Sequence, residues 1–189
     1  MLINTHDCLS LFKKDSTRYM YRGKCLALSK LIFIALFSVN LSIAFCFWLR
    51  NCDNRNILIR FISKYKRIRF TRKYGVQIPP NTQIGPGLLL PHFLPIVVHP
   101  HSIIGKNATI HQFVTVAGDR EGKAPKIGDN CFIGAGATII GEINIGNNVT
   151  IAAGAVVISD IPDNASVGGV PTKILHYNHP GKYIVNPID

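Results

Sequence analysis

The chain has 189 residues, 47% of them hydrophobic and 16% charged, which excludes a disordered tail protein and fits one domain with an appendage. Its formal net charge of +11 is unevenly spread: residues 1–74 hold 15 Lys and Arg against 3 Asp and Glu, and residues 75–189 hold 6 against 7. The basic charge is therefore a property of the N-terminal segment, and no helix-turn-helix, zinc or RNA-binding signature accompanies it, so nucleic acid is not an expected partner. The five cysteines, Cys8, Cys25, Cys46, Cys52 and Cys131, are odd in number and form no CxxC pair. That argues against a disulfide framework or a metal site and for a reduced, cytoplasmic chain. The start does not read as a signal peptide, because charges extend to Lys30 before the apolar run begins.

From Leu31 to Leu49 there is no charge. The run is long enough to span a bilayer, but Ser38, Asn40 and Ser42 interrupt it on nearly one side of a helix. It reads either as a helix packed on protein or as a span. Next, Ile57, Leu58, Phe61, Ile62, Tyr65 and Ile68 recur at helical spacing, with Arg60, Lys64 and Arg67 on much of the remaining surface. Such a basic helix can rest on an anionic membrane face or dock on the main domain. Residues 1–74 are thus expected to form a basic α-helical segment, with peripheral attachment to the inner face of the cytoplasmic membrane as one use of its charge.

A six-residue period runs through the rest. Aliphatic residues fall at Ile78, Ile84 and Leu90; at Val98, Ile104, Ile110 and Val116; and at Ile127, Ile133, Ile139, Ile145, Ile151 and Val157. Two positions before them stand small or aliphatic residues, among them Val76, Leu88, Ile96, Ala108, Val114, Ala137, Ile143, Val149 and Ala155. This hexapeptide repeat specifies short flat strands joined by turns, one aliphatic side chain per strand pointing to the axis, with glycine or asparagine where positive φ is needed. Coils must stack to bury their apolar faces.

The period breaks twice. Between Leu90 and Val98 a bulge holds Pro91-His92-Phe93-Leu94-Pro95, and between Val116 and Ile127 residues 117–126 project as a loop. Extra residues leaving a regular wall are the candidate builders of a site. His99 and His111 each follow an inward aliphatic residue. Taken as two coils apart, they would be separated by roughly 9–10 Å, too far for one zinc ion within a chain.

The segments Ile127-Gly-Asp-Asn-Cys-Phe-Ile133, Ile151-Ala-Ala-Gly-Ala-Val-Val157 and Ile161 through the Gly-Val-Pro-Thr-Lys stretch to Ile174 resemble the closing coils of hexapeptide-repeat acyltransferases. More narrowly, residues 75–175 resemble serine acetyltransferase-like proteins, in particular the branch that O-acetylates bacterial polysaccharides. The resemblance implies a mainly β fold: a left-handed parallel β-helix over 75–175, preceded by the helical segment and followed by a tail at 176–189. It further implies a homotrimer, with acetyl-CoA as acyl donor in the cleft between subunits.

The family's catalytic histidine falls on His92, where an imidazole serves as general base for a hydroxyl nucleophile. The carboxylate expected to orient it is replaced by Gln77. Acyl-CoA contacts map to Ala135, Ala153, Ile158, Ser159, Lys173 and His176, and acceptor contacts to Asp119 and Arg120; no metal is expected. Serine acetyltransferase has acidic residues where this chain has Gln77 and Pro91, and a histidine in the loop that here runs from Arg120 to Ala124 and Pro125. Its helical domain is also longer. These departures lead to the expectation of a glycan acceptor of capsule or surface polysaccharide, with serine a poor one. Serine or another small-molecule acceptor, a trimeric hexapeptide carbonic anhydrase, and a non-catalytic scaffold remain the alternatives.

Overall fold

The computed structural model describes residues 4–20, 27–36, 40–178 and 180–189. Cys25, Ser38 and His179, and with Ser38 part of the Leu31–Leu49 run, lie outside the described residues.

Four helices come first: α1 (Thr5–Thr17), α2 (Leu28–Leu36), α3 (Leu41–Arg50) and α4 (Ile57–Tyr74). Asparagine opens three of them. The side chains of Asn4, Asn40 and Asn56 accept from backbone N–H groups of the first turn, satisfying donors that have no partner inside the helix. Gly75 ends α4 at φ 73°, where a Cβ would collide with the Pro95 ring. Among the described residues no single helix is long and apolar enough to cross a membrane; α2 and α3 meet that test only together, bent by 102°. Residues Ser42 through Leu49 of α3 are all buried, against α1, α2 and α4.

Short strands follow in chain order: β1 (Val76–Gln77), β2 (Gln83–Ile84), β3 (Ile96–Val98), β4 (Ile103–Ile104), β5 (Thr109–Ile110), β6 (Thr115–Ala117) and β7 (Lys126–Ile127). They continue with β8 (Phe132–Ile133), β9 (Thr138–Ile140), β10 (Asn144–Ile145), β11 (Thr150–Ile151), β12 (Val156–Val157), β13 (Ser166–Gly168) and β14 (Lys173–His176). Three sheets result. The first face is β1-β3-β6-β9-β12, the second β2-β4-β7-β10, and the third β5-β8-β11-β13-β14. All pairings are parallel except β13 with β14. Successive strands visit successive faces, so three repeats complete one coil of a triangular parallel β-helix.

The sequence period is the core. Every inward aliphatic residue from Ile78 to Val157 is buried except Ile84, which is half-buried, and every residue named two positions earlier is buried as well. At the vertex between the second and third faces, Asn107, Asn130, Asn148 and Asn164 all take positive φ, between 55° and 64°. Their side chains form a ladder, each Nδ2 donating to the next Oδ1 at 2.9–3.0 Å. Asparagine tolerates this backbone and bonds locally, so one residue type serves both needs.

The helices are bound to the solenoid by a buried polar network. Asp15 accepts from Arg50 at both oxygens (2.8 and 3.0 Å) and from the N–H groups of Gly87 and Leu88. Arg50 also donates to the Ile84 and Gly85 carbonyls, and Arg18 to those of Gly87 and Ala108 and to the Thr109 hydroxyl. Removing one member of such a pair strands a buried charge at a cost of about 3–5 kcal/mol. The C-terminal tail descends the asparagine vertex and closes on the same region: Val185 accepts from Arg18, and Ile188 bonds Asn107 in both directions.

Candidate active site

His92 lies in the bulge that carries the chain from the third face to the first. Both ends of that bulge are pinned by the helices. The Leu90 N–H donates to the Tyr19 hydroxyl and the Leu90 carbonyl accepts from Ser42, each at 2.8 Å. On the other side of His92, Phe93 packs its ring against Phe45, Phe70 and Tyr74 at 5.3–5.5 Å. The helical segment therefore fixes the residues flanking His92 while its imidazole stays exposed.

One coil up, His111 faces it, with ring centroids 5.8 Å apart. His111 packs on Phe132 (4.9 Å), which packs on Tyr183 of the tail (5.1 Å). Burial, and next the neighbouring His92, hold the His111 imidazole below its usual 6.5.

The same vertex carries Gln112, Phe113, Ala135 and Ala153, stacked coil on coil: the Gln112 carbonyl accepts from Gly136, and that of Ala135 from Gly154. Among the described residues, no acceptor takes the Ala135 or Ala153 N–H. Phe113 stands out here. It is exposed and held at φ 62°, at the turn position where higher coils place Gly136 (φ 70°) and Gly154 (φ 68°). The sequence carried a signal for it, a phenylalanine at a glycine turn position, that the periodicity alone did not flag.

The remaining predicted residues sit elsewhere. Gln77 is exposed on the first face beside His99, and no hydrogen bond joins it to His92 among the described residues. Asp119 and Arg120 lie in the loop at the vertex between the first and second faces, as do Ile158 and Ser159 after β12. Asp119 Oδ1 accepts from the N–H groups of Glu121 and Lys123, shaping the loop, and Lys123 bridges Glu121 (3.4 Å) and Glu142 (2.8 Å). Arg120 is exposed. A cavity of about 440 Å³ lies between Gln77, His99 and Gly118 at that vertex. Lys173 and His176 are on β14, where His176 lines a groove of about 270 Å³ with Phe132, Leu175 and Tyr183. Apart from Lys173 and His176 on the third face, the predicted residues thus fall on or beside two separate vertices of one protomer.

The separation of His99 and His111 needs correction. Twelve residues are two strands, not two coils, because three strands make a coil. His99 therefore follows β3 on the first face, paired with His101 (5.3 Å), and His111 follows β5 on the third. The buried cysteines are chemically quiet: burial pushes Cys46 and Cys131 up to about 12 and Cys52 to about 11.

Residues 124–159 match the family of bacterial transferase hexapeptides (six repeats). Serine acetyltransferase of Synechocystis sp. is 44% identical over 118 residues, covering 61% of this chain and 46% of its own. The crystal structure of Neisseria gonorrhoeae serine acetyltransferase in complex with serine superposes with a TM-score of 0.65 at 32% identity, covering 90% of this chain and 69% of that one. The chain belongs to the hexapeptide transferases. A serine acetyltransferase solved in complex with CoA shares the fold of this hexapeptide transferase at a TM-score of 0.64 and 26% identity, with 89% and 68% of the chains covered. The protein spans about half the length of the curated relatives it matches.

These similarities overturn the expected polysaccharide acceptor and its place in capsule or glycan synthesis, since the relatives are serine acetyltransferases. The expectation of a glycan rests on two carboxylates and a histidine that serine acetyltransferase carries and this chain lacks at the matching positions. The loop insertion in this hexapeptide transferase brings its own charges of both signs, Arg120 with Glu121, and His99 and His101 stand beside it: the His101 ring lies 3.5 Å from the Gly122 carbonyl.

Proposed function

We propose that this protein is an acetyl-CoA-dependent O-acetyltransferase whose acceptor is serine, working as a homotrimer with each site shared by two protomers. The carrying observation is the division of the site residues between two vertices. His92, Ala135 and Ala153 stand on one; Gln77, Asp119, Arg120, Ile158 and Ser159 stand on or beside the other. A cyclic trimer packs one vertex of each subunit against a different vertex of the next, the heterologous contact that closes a ring. Relatives solved with serine and with CoA support the choice of substrates.

In this reading His92 takes the hydroxyl proton as the serine oxygen attacks the thioester carbonyl. The backbone N–H groups of Ala135 and Ala153, which no acceptor takes among the described residues, stand two and three coils above His92 and are free to bind the amide carbonyls of the acyl-CoA arm. Collapse breaks the carbon–sulfur bond, and the His92 imidazolium returns its proton to the departing CoA thiolate. Arg120 pairs with the serine carboxylate, and the acids of its loop meet the ammonium group. Transfer is direct in this reading, because no cysteine stands at a motif position, and burial raises the Cys46, Cys52 and Cys131 thiols well above the usual range.

The test is release of CoA thiol from acetyl-CoA by the purified chain with L-serine, with O-acetylserine identified by mass spectrometry. His92→Ala should lower turnover roughly 10²–10⁴-fold with little change in acetyl-CoA affinity. No serine-dependent thiol release from a folded trimer would defeat the reading, and full turnover in the variant would move the base elsewhere.

A further inference from the structure

α4 turns its apolar residues the wrong way for a helix docked on a domain. Ser63 and Phe70 face the protein, while Ile57, Leu58, Phe61, Ile62, Tyr65 and Ile68 are 41–66% exposed. At 100° per residue these six fall within one arc of the helix, opposite Ser63 and Phe70. Arg60 and Lys64 border the arc along one edge and Lys66 and Lys73 along the other, with Arg69 and Arg72 inside its C-terminal end. The helix has seven Lys and Arg and no Asp or Glu. Two shallow hollows adjoin the stripe, of about 240 Å³ with Lys66, Arg69 and Lys73 in its lining and of about 360 Å³ lined by Tyr65, Arg69, Arg72 and Lys73.

We infer that α4 is an interfacial helix that seats this enzyme on an anionic bilayer, its apolar stripe entering the headgroup boundary and its flanking cations meeting lipid phosphates. Charge complementarity chooses this occupant. A second copy docked through the same face would set cations against cations without one carboxylate on either helix, whereas an anionic leaflet supplies the missing sign. Apolar burial and cation attraction also act on one surface, the pairing that interfacial helices use. The inference is independent of the acceptor, since the stripe lies on the face of α4 opposite Phe70 and Tyr74, the residues that reach Phe93 beside His92.

The experiment is co-sedimentation of the full chain with vesicles of equal phosphatidylglycerol and phosphatidylcholine, and with phosphatidylcholine alone. The protein should pellet with the mixed vesicles at low ionic strength, leave them at about 0.5 M salt as screening shortens the range of the attraction, and ignore the neutral ones. Each surface-proximal cation strengthens partition roughly fivefold. The quadruple variant Arg60→Gln, Lys64→Gln, Arg69→Gln, Lys73→Gln should therefore bind more than 100-fold less tightly. Leu58→Ser with Phe61→Ser should weaken binding at fixed salt; every substituted residue is exposed except half-buried Arg60, and unchanged solution activity certifies the fold of both variants. Wild-type chain that stays in the supernatant, or a charge variant that pellets as wild type does, overturns the inference. It also falls if the Leu58/Phe61 variant binds no less but breaks up a larger assembly, which would make the stripe a contact between copies.

Discussion

The ring of Phe93 packs 5.3 Å from that of Tyr74, the last residue of α4, although the two belong to different parts of the molecule. Because Phe93 directly follows His92, this contact makes the helical segment a support for the proposed base. Phe93→Ala would remove a ring held by Phe45, Phe70 and Tyr74 and let the bulge drift. Misplacing a catalytic group by about 1 Å can cost about 100-fold in rate. We therefore expect a fall in kcat with KM for acetyl-CoA retained, and recovery of most of it in Phe93→Leu, which refills the apolar site. Equal kcat in all three proteins would free His92 from this support.

His111 gives the site a pH dependence of stability. Its folded pKa lies below 6.5, so the unfolded chain binds the proton more readily. The group costs nothing when neutral in both states, and stability is lost as pH falls from the unfolded value through the folded one. Its neighbours are His92, Phe132 and Gln112, none a carboxylate that would reverse the sign. Urea midpoints measured from pH 7.5 to 5.5 should fall less steeply in His111→Gln than in the wild type; parallel curves would remove His111 from the acid response.

The β-helix was legible because its signal repeats: Ile133, Ile139 and Ile145 each bury one side chain in the same axis, and any one of them repeats the evidence of the others. His92 was legible as an interruption of that regularity. What surrounds it was not. Asp15, Arg18 and Arg50 look in the sequence like ordinary surface charges, and only the docked geometry shows them buried and bonded to the first coils. The relation of His92 to His111 required knowing that three strands complete a coil; counting strands as coils set His99 and His111 two coils apart, whereas they follow strands on different faces. α4 showed its apolar stripe plainly, but a helical period cannot say which face turns inward; Ser63 buried and Phe61 exposed reverse the usual assignment. The acceptor was misjudged for a related reason, since motif positions were compared within one chain while the candidate residues lie on two vertices.

Phe113 offers a separation of stability from activity. A non-glycine residue in the left-handed region costs roughly 1–2 kcal/mol, and glycine there regains that at an entropic cost of about 0.5–1 kcal/mol. Phe113→Gly should thus leave the melting temperature unchanged or slightly higher. Strain of this kind persists where function holds it, and Phe113 is exposed on the His92 vertex. Its loss should raise KM for serine or acetyl-CoA severalfold. A variant with a raised melting temperature and unaltered kinetics would reduce Phe113 to a tolerated defect.

The two-vertex arrangement makes the strongest demand on the proposed assembly. If His92 of one protomer works with Arg120 of the next, two crippled chains can repair each other. His92→Ala lacks the base at its own vertex but keeps an intact loop; Arg120→Ala lacks the carboxylate contact but keeps the base. Either variant alone has no complete site in any trimer, so both should be nearly inactive at serine concentrations well below KM. Unfolding and refolding them together in equal amounts assorts the chains at random. A site is complete when an Arg120→Ala subunit supplies the vertex with His92 and a His92→Ala subunit supplies the neighbouring loop, which occurs for about one quarter of the contacts in a closed ring. The refolded mixture should regain activity of that order, while each variant refolded by itself regains none. A mixture no more active than its parts would put the whole site within one protomer, and the contact between subunits would then be structural only.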